Sequence, residues 1–433
     1  MTVVVDVQDV VTEPYRWMDQ KVATRAESVL YRGELLESKL YSEISAMASK
    51  RDSPDLQIVV GRIISESTED FKDPKVPFND HSLVIEPVTG SIASKKRRMR
   101  FFIHEASQYV LYIGQIVAAI GRVTNTGRDF HADTILCGPT PPAPQVTSTT
   151  TTTPIHATFA CGPYSPDNML IFDSIAELES RVRDNPPDLL VVCGPFLDVN
   201  HPQVATGIIH DSFGRPISFD DVYKEEIIPK LARLARSCEN AKTTLVIVPS
   251  TNEAGFDFPV PQPPLSKAPV SSIWNTLVKE LPKSVQFHSN PCNIDMGGMK
   301  ILVTSVDALS AINSNVLFKQ GGGGENNLGR VDACLDQIVR SRSLFPVMPN
   351  NLRLDHASRH LADISHNIPD IIVTPSLAGK RFIKKINGRV FVNPGFMSDP
   401  PGTTSSLAEI VITPPAGDPN DICARVNGDL VKL

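Results

Sequence analysis

The apolar positions of this chain keep three different rhythms. Between residues 14 and 50, Met18, Val22, Val29, Leu36, Leu40, Ile44 and Met47 recur at mostly helical spacing, with Glu, Arg, Lys and Asp between them. Pro14 suits a first helical turn, so the pattern predicts a helix over 14–50, with Gly33 as its weak point. The heptad is not sustained, so the apolar face is expected to pack on the chain's own body and not in a coiled coil.

From residue 55 to 138 the rhythm is that of strands. QIVVGRII (57–64), HSLVIEPV (81–88), MRFFIHE (99–105), GQIVAAIGRV (114–123) and DFHADTIL (129–136) are β-rich and separated by turn residues. Five strands in about eighty residues fit a small barrel, with an OB-fold the natural candidate. The piece ASQYVLYIG (106–114) is expected to supply the short helix that such barrels carry between the third and fourth strands. Residues 139–154 are dominated by Pro and Thr and predict a mobile linker.

Over 155–433, continuous apolar strands alternate with amphipathic helices. HATFACG, DLLVVCGPF, TTLVIVPS, DIIVTPS, GRVFVNPG and LAEIVIT read as buried strands. SIAELESRVRD (174–184), FDDVYKEEIIPKLARLARSCE (219–239) and VDACLDQIVRSRS (331–343) read as helices, the second with a kink at Pro229. The alternation predicts a layered α/β/α sandwich. GGGGENN (321–327) has no core pattern and predicts a disordered loop.

Composition removes several function classes. A net charge of −6 gives no general case for nucleic-acid binding by bulk charge. No apolar run approaches the ~20 residues that span a bilayer, so no membrane partner is expected. The start, MTVVVDVQDVVTEP, has no basic region and does not read as a signal peptide. The seven cysteines are an odd number, lie far apart and include no C-x-x-C pair, which argues against a disulfide framework and for a reducing compartment.

In layered α/β domains, ligands collect beyond the carboxyl ends of the strands. Those ends read Cys161-Gly162-Pro163, Gly194-Pro195-Phe196-Leu197-Asp198, Pro249-Ser250-Thr251-Asn252-Glu253, Thr304-Ser305-Val306-Asp307 and Thr374-Pro375-Ser376. ACGPYS (160–165), CGPFLD followed by His201 and Gln203-Val204, IVPS (247–250), PVPQPP (259–264), SNPC (289–292), RSLFPVMP (342–349), PDIIVTPS (369–376) and FVNPG (391–395) occur in this order. Before them stand YRWMDQKVATRAESV (15–29) and GQIVAAIGRVTNTGR (114–128). In these motifs the chain resembles the B subunits of eukaryotic replicative DNA polymerases, and within them the alpha–primase branch. ACGPY, GPFLD and PVPQPP favour that branch over delta and epsilon.

The resemblance implies an OB-fold joined to a calcineurin-like phosphoesterase domain, a layered α/β/α sandwich lacking its metal ligands. Active members of that superfamily hold two metals through Asp, Asn and His at strand ends. Here Cys-Gly-Pro stands where Asp-x-His is expected, and Pro195 replaces the bridging Asp. Pro249, Ser250 and Thr251 stand in place of Gly-Asn-His, and Thr374, Pro375 and Ser376 where a Gly-His-x-His turn would begin. Cys161, Pro163, Pro195, Asp198, Ser250, Thr251 and Pro375 thus mark degenerate metal-site positions, and proline has no side-chain donor. Asp198 remains, with Asn252 and Glu253 in shifted register; Asp198 is expected to cap the following segment. No catalytic residue, metal or cofactor is expected.

The implied role is architectural and nuclear. Both domains would grip the C-terminal zinc-binding domain of the polymerase alpha catalytic subunit and so hold the primase subunits in the same complex during initiation of DNA replication. The family's N-terminal helical module and long linker are not in this sequence, so a shortened chain or a short version is expected. Two other classes stay open on the residues: an active metallophosphoesterase with atypical ligands, and an OB protein that binds single-stranded DNA. For the latter the one basic run, SKKRRMR (94–100), offers Lys95, Lys96, Arg97 and Arg98 as candidate nucleic-acid contacts, against a solvated hairpin as the expectation. His356 and His360 stand four apart, a metal-capable spacing on a helix but without an apparent third ligand.

Overall fold

The computed structural model describes residues 5–11, 21–51, 55–66, 78–88, 97–146, 152–210, 214–269, 272–322, 328–349, 352–356, 358–365, 367–398 and 405–432. Lys95, Lys96, His366, residues 12–20 and residues 323–327 of the glycine-rich loop lie outside them.

The helical rhythm near the start becomes one helix, Val22–Ala48. Its Leu36, Leu40 and Ile44 pack on Val60, Val88, Ile116, Ala118 and Ile120 of the barrel's outer wall. Gly33 is a point of close approach. A Cβ there would lie 2.6 Å from Val88 Cγ1, so the residue lets the helix sit against the barrel.

The strand rhythm that follows becomes a closed barrel of Gln57–Ser65, Leu83–Pro87, Met99–Phe102, Asp129–Leu136 and Ile116–Val123, in that spatial order. Counted along the chain the order is 1-2-3-5-4, and the third and fifth strands pair in parallel. Period-two alternation decides the lining: Met99 and Phe101 point into the core with Ile63, Ile85, Val117 and Phe130, leaving Arg100 and Phe102 outside.

The segment expected to be a short helix is instead a strand. Tyr109–Tyr112 pairs antiparallel with Val316–Lys319, far downstream in the chain. Tyr, Val and Leu suit a strand buried on both faces. Leu111 enters the barrel core while Tyr112 enters the core of the following sandwich, so this strand pair joins the two parts. Gln115 Nε2 donates to Gln337 Oε1 (2.9 Å) across the same joint, and Arg32 donates to the Pro346 carbonyl (3.0 Å).

Residues 155–432, joined by Val5–Asp9, form two six-stranded sheets, not one. The first runs Gln286–Phe287, Thr244–Val248, Leu189–Cys193, Ile155–Cys161, Ser406–Ile412 and Val426–Lys432; its first four strands are parallel. The second runs Val5–Asp9, Cys292–Met296, Met299–Val303, Ile371–Val373, Arg389–Asn393 and Phe382–Ile386. Val191, Val246 and Val248 of the first meet Ile294, Ile301, Val373 and Val392 of the second in a shared core. Helices Asp173–Asp184 and Ile228–Ala241 cover the first sheet's outer face, and Arg330–Arg340 covers the second's. The expected α/β/α sandwich is therefore corrected to four layers, α/β/β/α. Every parallel strand is apolar on both faces in either arrangement, so the strand pattern does not separate them.

Three smaller differences stand beside this one. The opening residues Val5–Asp9 form an edge strand on Cys292–Met296. The kink expected at Pro229 is a π turn, Tyr223–Ile227, leading into the helix that carries Pro229 in its first turn. The stretch 139–146, expected to be mobile, is fastened: the Thr140 amide donates to the Glu43 carboxylate (3.0 Å), Arg389 to the Pro142 carbonyl (2.9 Å), and the Val146 amide to Asn420 Oδ1 (3.0 Å). Prolines in it still offer carbonyl acceptors, which is what Arg389 uses.

Candidate functional site

The parallel strands of the first sheet end in step. Cys161 lies beside Cys193 in register, and Val248 beside Cys193 on the other side. Each strand then turns away sharply. The Gly162 amide donates to the Cys193 carbonyl and the Gly194 amide to the Val248 carbonyl, both at 2.9 Å. Gly162–Pro163 and Gly194–Pro195 are both cis. A Cβ on Gly162 would lie 2.1 Å from the Pro195 carbonyl oxygen, so the two turns touch backbone to backbone.

Cys161, Pro195 and Ser250 are buried and Pro163, Asp198 and Thr251 half-buried around this meeting point; Pro375 is buried on the second sheet's mouth. The Cys161 and Pro163 carbonyls accept from the Met397 and Ser398 amides (2.8 and 2.9 Å). The Cys161 thiol, together with burial, holds the Cys193 thiol well above the usual range, so it stays protonated. Asp198 accepts from the Asn200 backbone (2.9 Å) and side-chain (3.1 Å) amides, a local cap; burial pushes its carboxyl upward. Among the described residues, no three His, Cys, Asp or Glu side chains gather as a metal would need.

The organising group is Glu253, whose side chain is shut away from solvent: the residue is 2% accessible. Its Oε2 accepts from the Phe196 amide (2.8 Å) and its Oε1 from the Leu197 amide (3.1 Å). Tyr223 Oη lies 2.6 Å from Glu253 Oε1 and also 2.6 Å from the Ala254 carbonyl. One carboxylate thus clasps the GPFLD turn from within. Burial pushes its carboxyl up to about 7, against the pull of the Tyr223, Leu197 and Phe196 hydrogen bonds, with Asp198 adding to the rise. Tyr164, Phe196, Trp274 and Tyr223 pack ring to ring behind it. The sequence alone shows Glu253 as a shifted remnant. The available signal was a lone charge between a buried strand and the apolar Ala-Gly-Phe that follows.

The other strand ends close through a network of amides and hydroxyls, with the Asp307 carboxylate accepting from the Ser310 and Leu377 amides (2.8 and 2.9 Å). Asn290 Nδ2 donates to Gln262 Oε1 and Ser305 Oγ, and Asn290 Oδ1 accepts from Thr304 Oγ1, all at 2.8 Å. Gln262 Nε2 donates to the Ser250 carbonyl (3.0 Å), and Ser305 Oγ to the Pro249 carbonyl (2.7 Å), which ties the two sheets' mouths together. Thr374 Oγ1 donates to the Val306 carbonyl (2.9 Å), and Asn393 bonds both the amide and the carbonyl of Ser376 (3.0 Å). The amides and hydroxyls of this network are matched to partners within the protein.

Elsewhere, Arg97 and Arg98 sit on the barrel, with Arg98 paired to Glu86 (2.6 Å) and Arg100 to Asp129 (2.7 Å). His360 belongs to a 3₁₀ turn, Arg359–Ala362, so the helical face that would align it with His356 does not form.

Comparison with known proteins agrees with the strand-end motifs. The sequence model of the DNA polymerase alpha/epsilon B-subunit family matches residues 157–384, more than half of the chain. The B subunit of DNA polymerase alpha from Schizosaccharomyces pombe is 28% identical over 404 residues, covering 88% of this chain and 65% of that protein. The Mus musculus protein of the same name is 29% identical over 296 residues, covering 68% of this chain and 46% of that one. The chain thus spans about half to two-thirds of the length of these relatives. A solved archaeal phosphodiesterase aligns with a TM-score of 0.29 at 8% identity over 64% of this chain and 100% of that one, too distant a likeness to carry an argument. This chain belongs to the family of DNA polymerase alpha/epsilon B subunits.

Proposed function

We propose that the chain is a non-catalytic scaffold subunit of DNA polymerase alpha–primase. In this reading the barrel is an OB-fold and the four-layer sandwich a calcineurin-like phosphoesterase fold without its metals. The observation that supports it is the closed mouth: prolines, hydroxyls and amides bonded to one another, with Glu253 committed to two backbone amides and Asp198 to Asn200. Such a donor set does not fit a pair of divalent cations, which need converging carboxylates and imidazoles and an open position for water.

A surface with no reaction to perform is suited to holding another protein. Its rigidity lowers the ordering cost of association. The partner in this reading is the catalytic subunit of polymerase alpha, held through its C-terminal zinc-binding domain, with the primase subunits joined through the complex and the nucleus as the compartment. The joint at Tyr109–Tyr112, which locks barrel to sandwich, supports one continuous platform.

Co-expression with C-terminal segments of the alpha, delta and epsilon catalytic subunits tests the proposal. Co-purification with the alpha segment alone is the expected result. Capture of none, or stoichiometric manganese or zinc accompanied by turnover of a generic phosphodiester, overturns it.

A further inference from the structure

The barrel's cleft, about 700 Å³ and lined by Arg97, Arg98, Arg100 and Arg128, exposes charge. Exposed apolar surface gathers elsewhere. Among the described residues seven large apolar side chains stand in solvent, and three of them, Met169, Ile171 and Ile208, lie on two stretches at the first sheet's mouth. One stretch, 163–173, follows the strand that ends at Cys161; the other, 196–210, follows the strand that ends at Cys193. Single exposed apolar residues are ordinary, whereas a cluster marks an interaction surface.

Within each stretch, apolar neighbours face opposite ways. Leu170 and Phe172 turn into the first sheet's outer core, while Met169 and Ile171 are 50% and 42% exposed. Ile209 turns inward, while Ile208 is 59% exposed. Core packing accounts for the inward set and leaves the outward set in water. The two stretches are also held against each other. His201 Nδ1 accepts from the Gln203 amide (3.3 Å), so Nε2 carries the proton it donates to the Pro166 carbonyl (3.0 Å). Tyr164 stacks on Phe196 with centroids 5.3 Å apart, and Glu253 holds the Phe196 and Leu197 amides from within. The base under the exposed side chains is therefore preformed, which lowers the ordering cost of docking.

The charge around them has one sign. Stretches 163–173 and 196–210 contain Asp167, Asp173 and Asp198 and no lysine or arginine. Asp167 and Asp173 are exposed. Burial raises the Asp198 carboxyl and Asp167 adds to the rise, so these two carboxylates are neighbours across the stretches.

We propose that this face docks an amphipathic helix of a protein partner, with leucine-type side chains on Met169, Ile171 and Ile208 and lysine or arginine against Asp167 and Asp173. An apolar stripe with basic flanks answers both features, because an acidic or neutral helix leaves the aspartates unmatched. Methionine is unbranched and adapts to the shape it meets. The inference goes beyond the scaffold reading and does not depend on which complex the chain joins.

The test is fluorescence anisotropy of the full chain with a labelled leucine–lysine amphipathic peptide of about four helical turns, set against a peptide of the same composition in scrambled order. Saturable binding of the amphipathic order is expected, weakening about threefold or more between about 50 and about 300 mM salt. Ile208→Lys should weaken it by about tenfold or more, since it removes apolar contact and adds like charge. Asp167→Asn/Asp173→Asn should weaken it at low salt and flatten the salt dependence. Leu377→Lys changes a still more exposed apolar residue, beside Ala378 of the second sheet's outer core, and should leave binding unchanged. The side chains altered are exposed, so the urea midpoint should hold; if Ile208→Lys unfolds the chain, Met169→Lys should still weaken binding several-fold. Equal affinity for the scrambled peptide, unchanged affinity in the Ile208 and Met169 variants, or an equal loss with Leu377→Lys overturns the proposal. Capture of the catalytic-subunit segment is scored separately, so failure here leaves the scaffold reading standing.

Discussion

The sandwich mouth and the barrel cleft handle polar groups in opposite ways. At the mouth, Asn290, Gln262, Ser305, Thr304 and Glu253 are buried or half-buried, and their polar atoms spend their hydrogen bonds on one another and on the backbone. At the cleft, arginines stand in solvent, two of them paired with carboxylates. The first arrangement gains shape and gives up reactivity; the second keeps charge available to a partner. A buried polar group must be matched or it destabilises, while an exposed charge is solvated whether or not it is paired. Stability effects should therefore be large at the mouth and small at the cleft.

The largest effect is expected from Glu253→Ala. It strands the Phe196 and Leu197 amides and opens a void beside Tyr223, costing about 2–5 kcal/mol in urea unfolding. A loss no larger than that of an exposed residue would mean that the turn holds without its clasp.

The second effect is on pH dependence. The Glu253 carboxyl rises to about 7 in the fold from an ordinary value of 4.5, so the folded state retains a proton that the unfolded state has lost between those values. Stability from this group is present below about pH 4.5 and declines as pH rises to about 7, by roughly 3 kcal/mol. Glu253→Gln should remove that decline. Unfolding of both forms at pH 5 and pH 8 should show the parent chain losing stability relative to the variant as pH rises; a constant difference would place the titration elsewhere.

The smallest effect belongs to Arg98→Ala. Its pair with Glu86 is largely in solvent, so the loss should be within about 1 kcal/mol. A larger loss would show that the cleft is as interlocked as the mouth, and the contrast would fail.

Much of the barrel was legible in advance because its strands alternate with period two, as Met99, Arg100, Phe101 and Phe102 do. The same rule misread 106–114, since Tyr-Val-Leu-Tyr suits either a buried helix turn or a strand and its partner, Val316–Lys319, is far along the chain. At the mouth, the lack of imidazoles at the five strand ends, and of any carboxylate at Cys161-Gly162-Pro163 and Thr374-Pro375-Ser376, was visible as residue identity. Glu253 was visible too, but its clasp depends on where the Phe196 and Leu197 amides point.

The sequence by itself determined the type of most elements, the apolar faces of the strands, the proline- and hydroxyl-rich chemistry at their ends and the family motifs, because each is carried by neighbours within a few positions. Tertiary structure alone decided that the sandwich has two sheets, that Val5–Asp9 joins one of them, that residues 139–146 are pinned, and that the Glu253 carboxylate is shut inside. These depend on contacts between residues separated by tens to hundreds of positions. There the free energy comes from removing paired surfaces from water together, and no local pattern records which surfaces will meet.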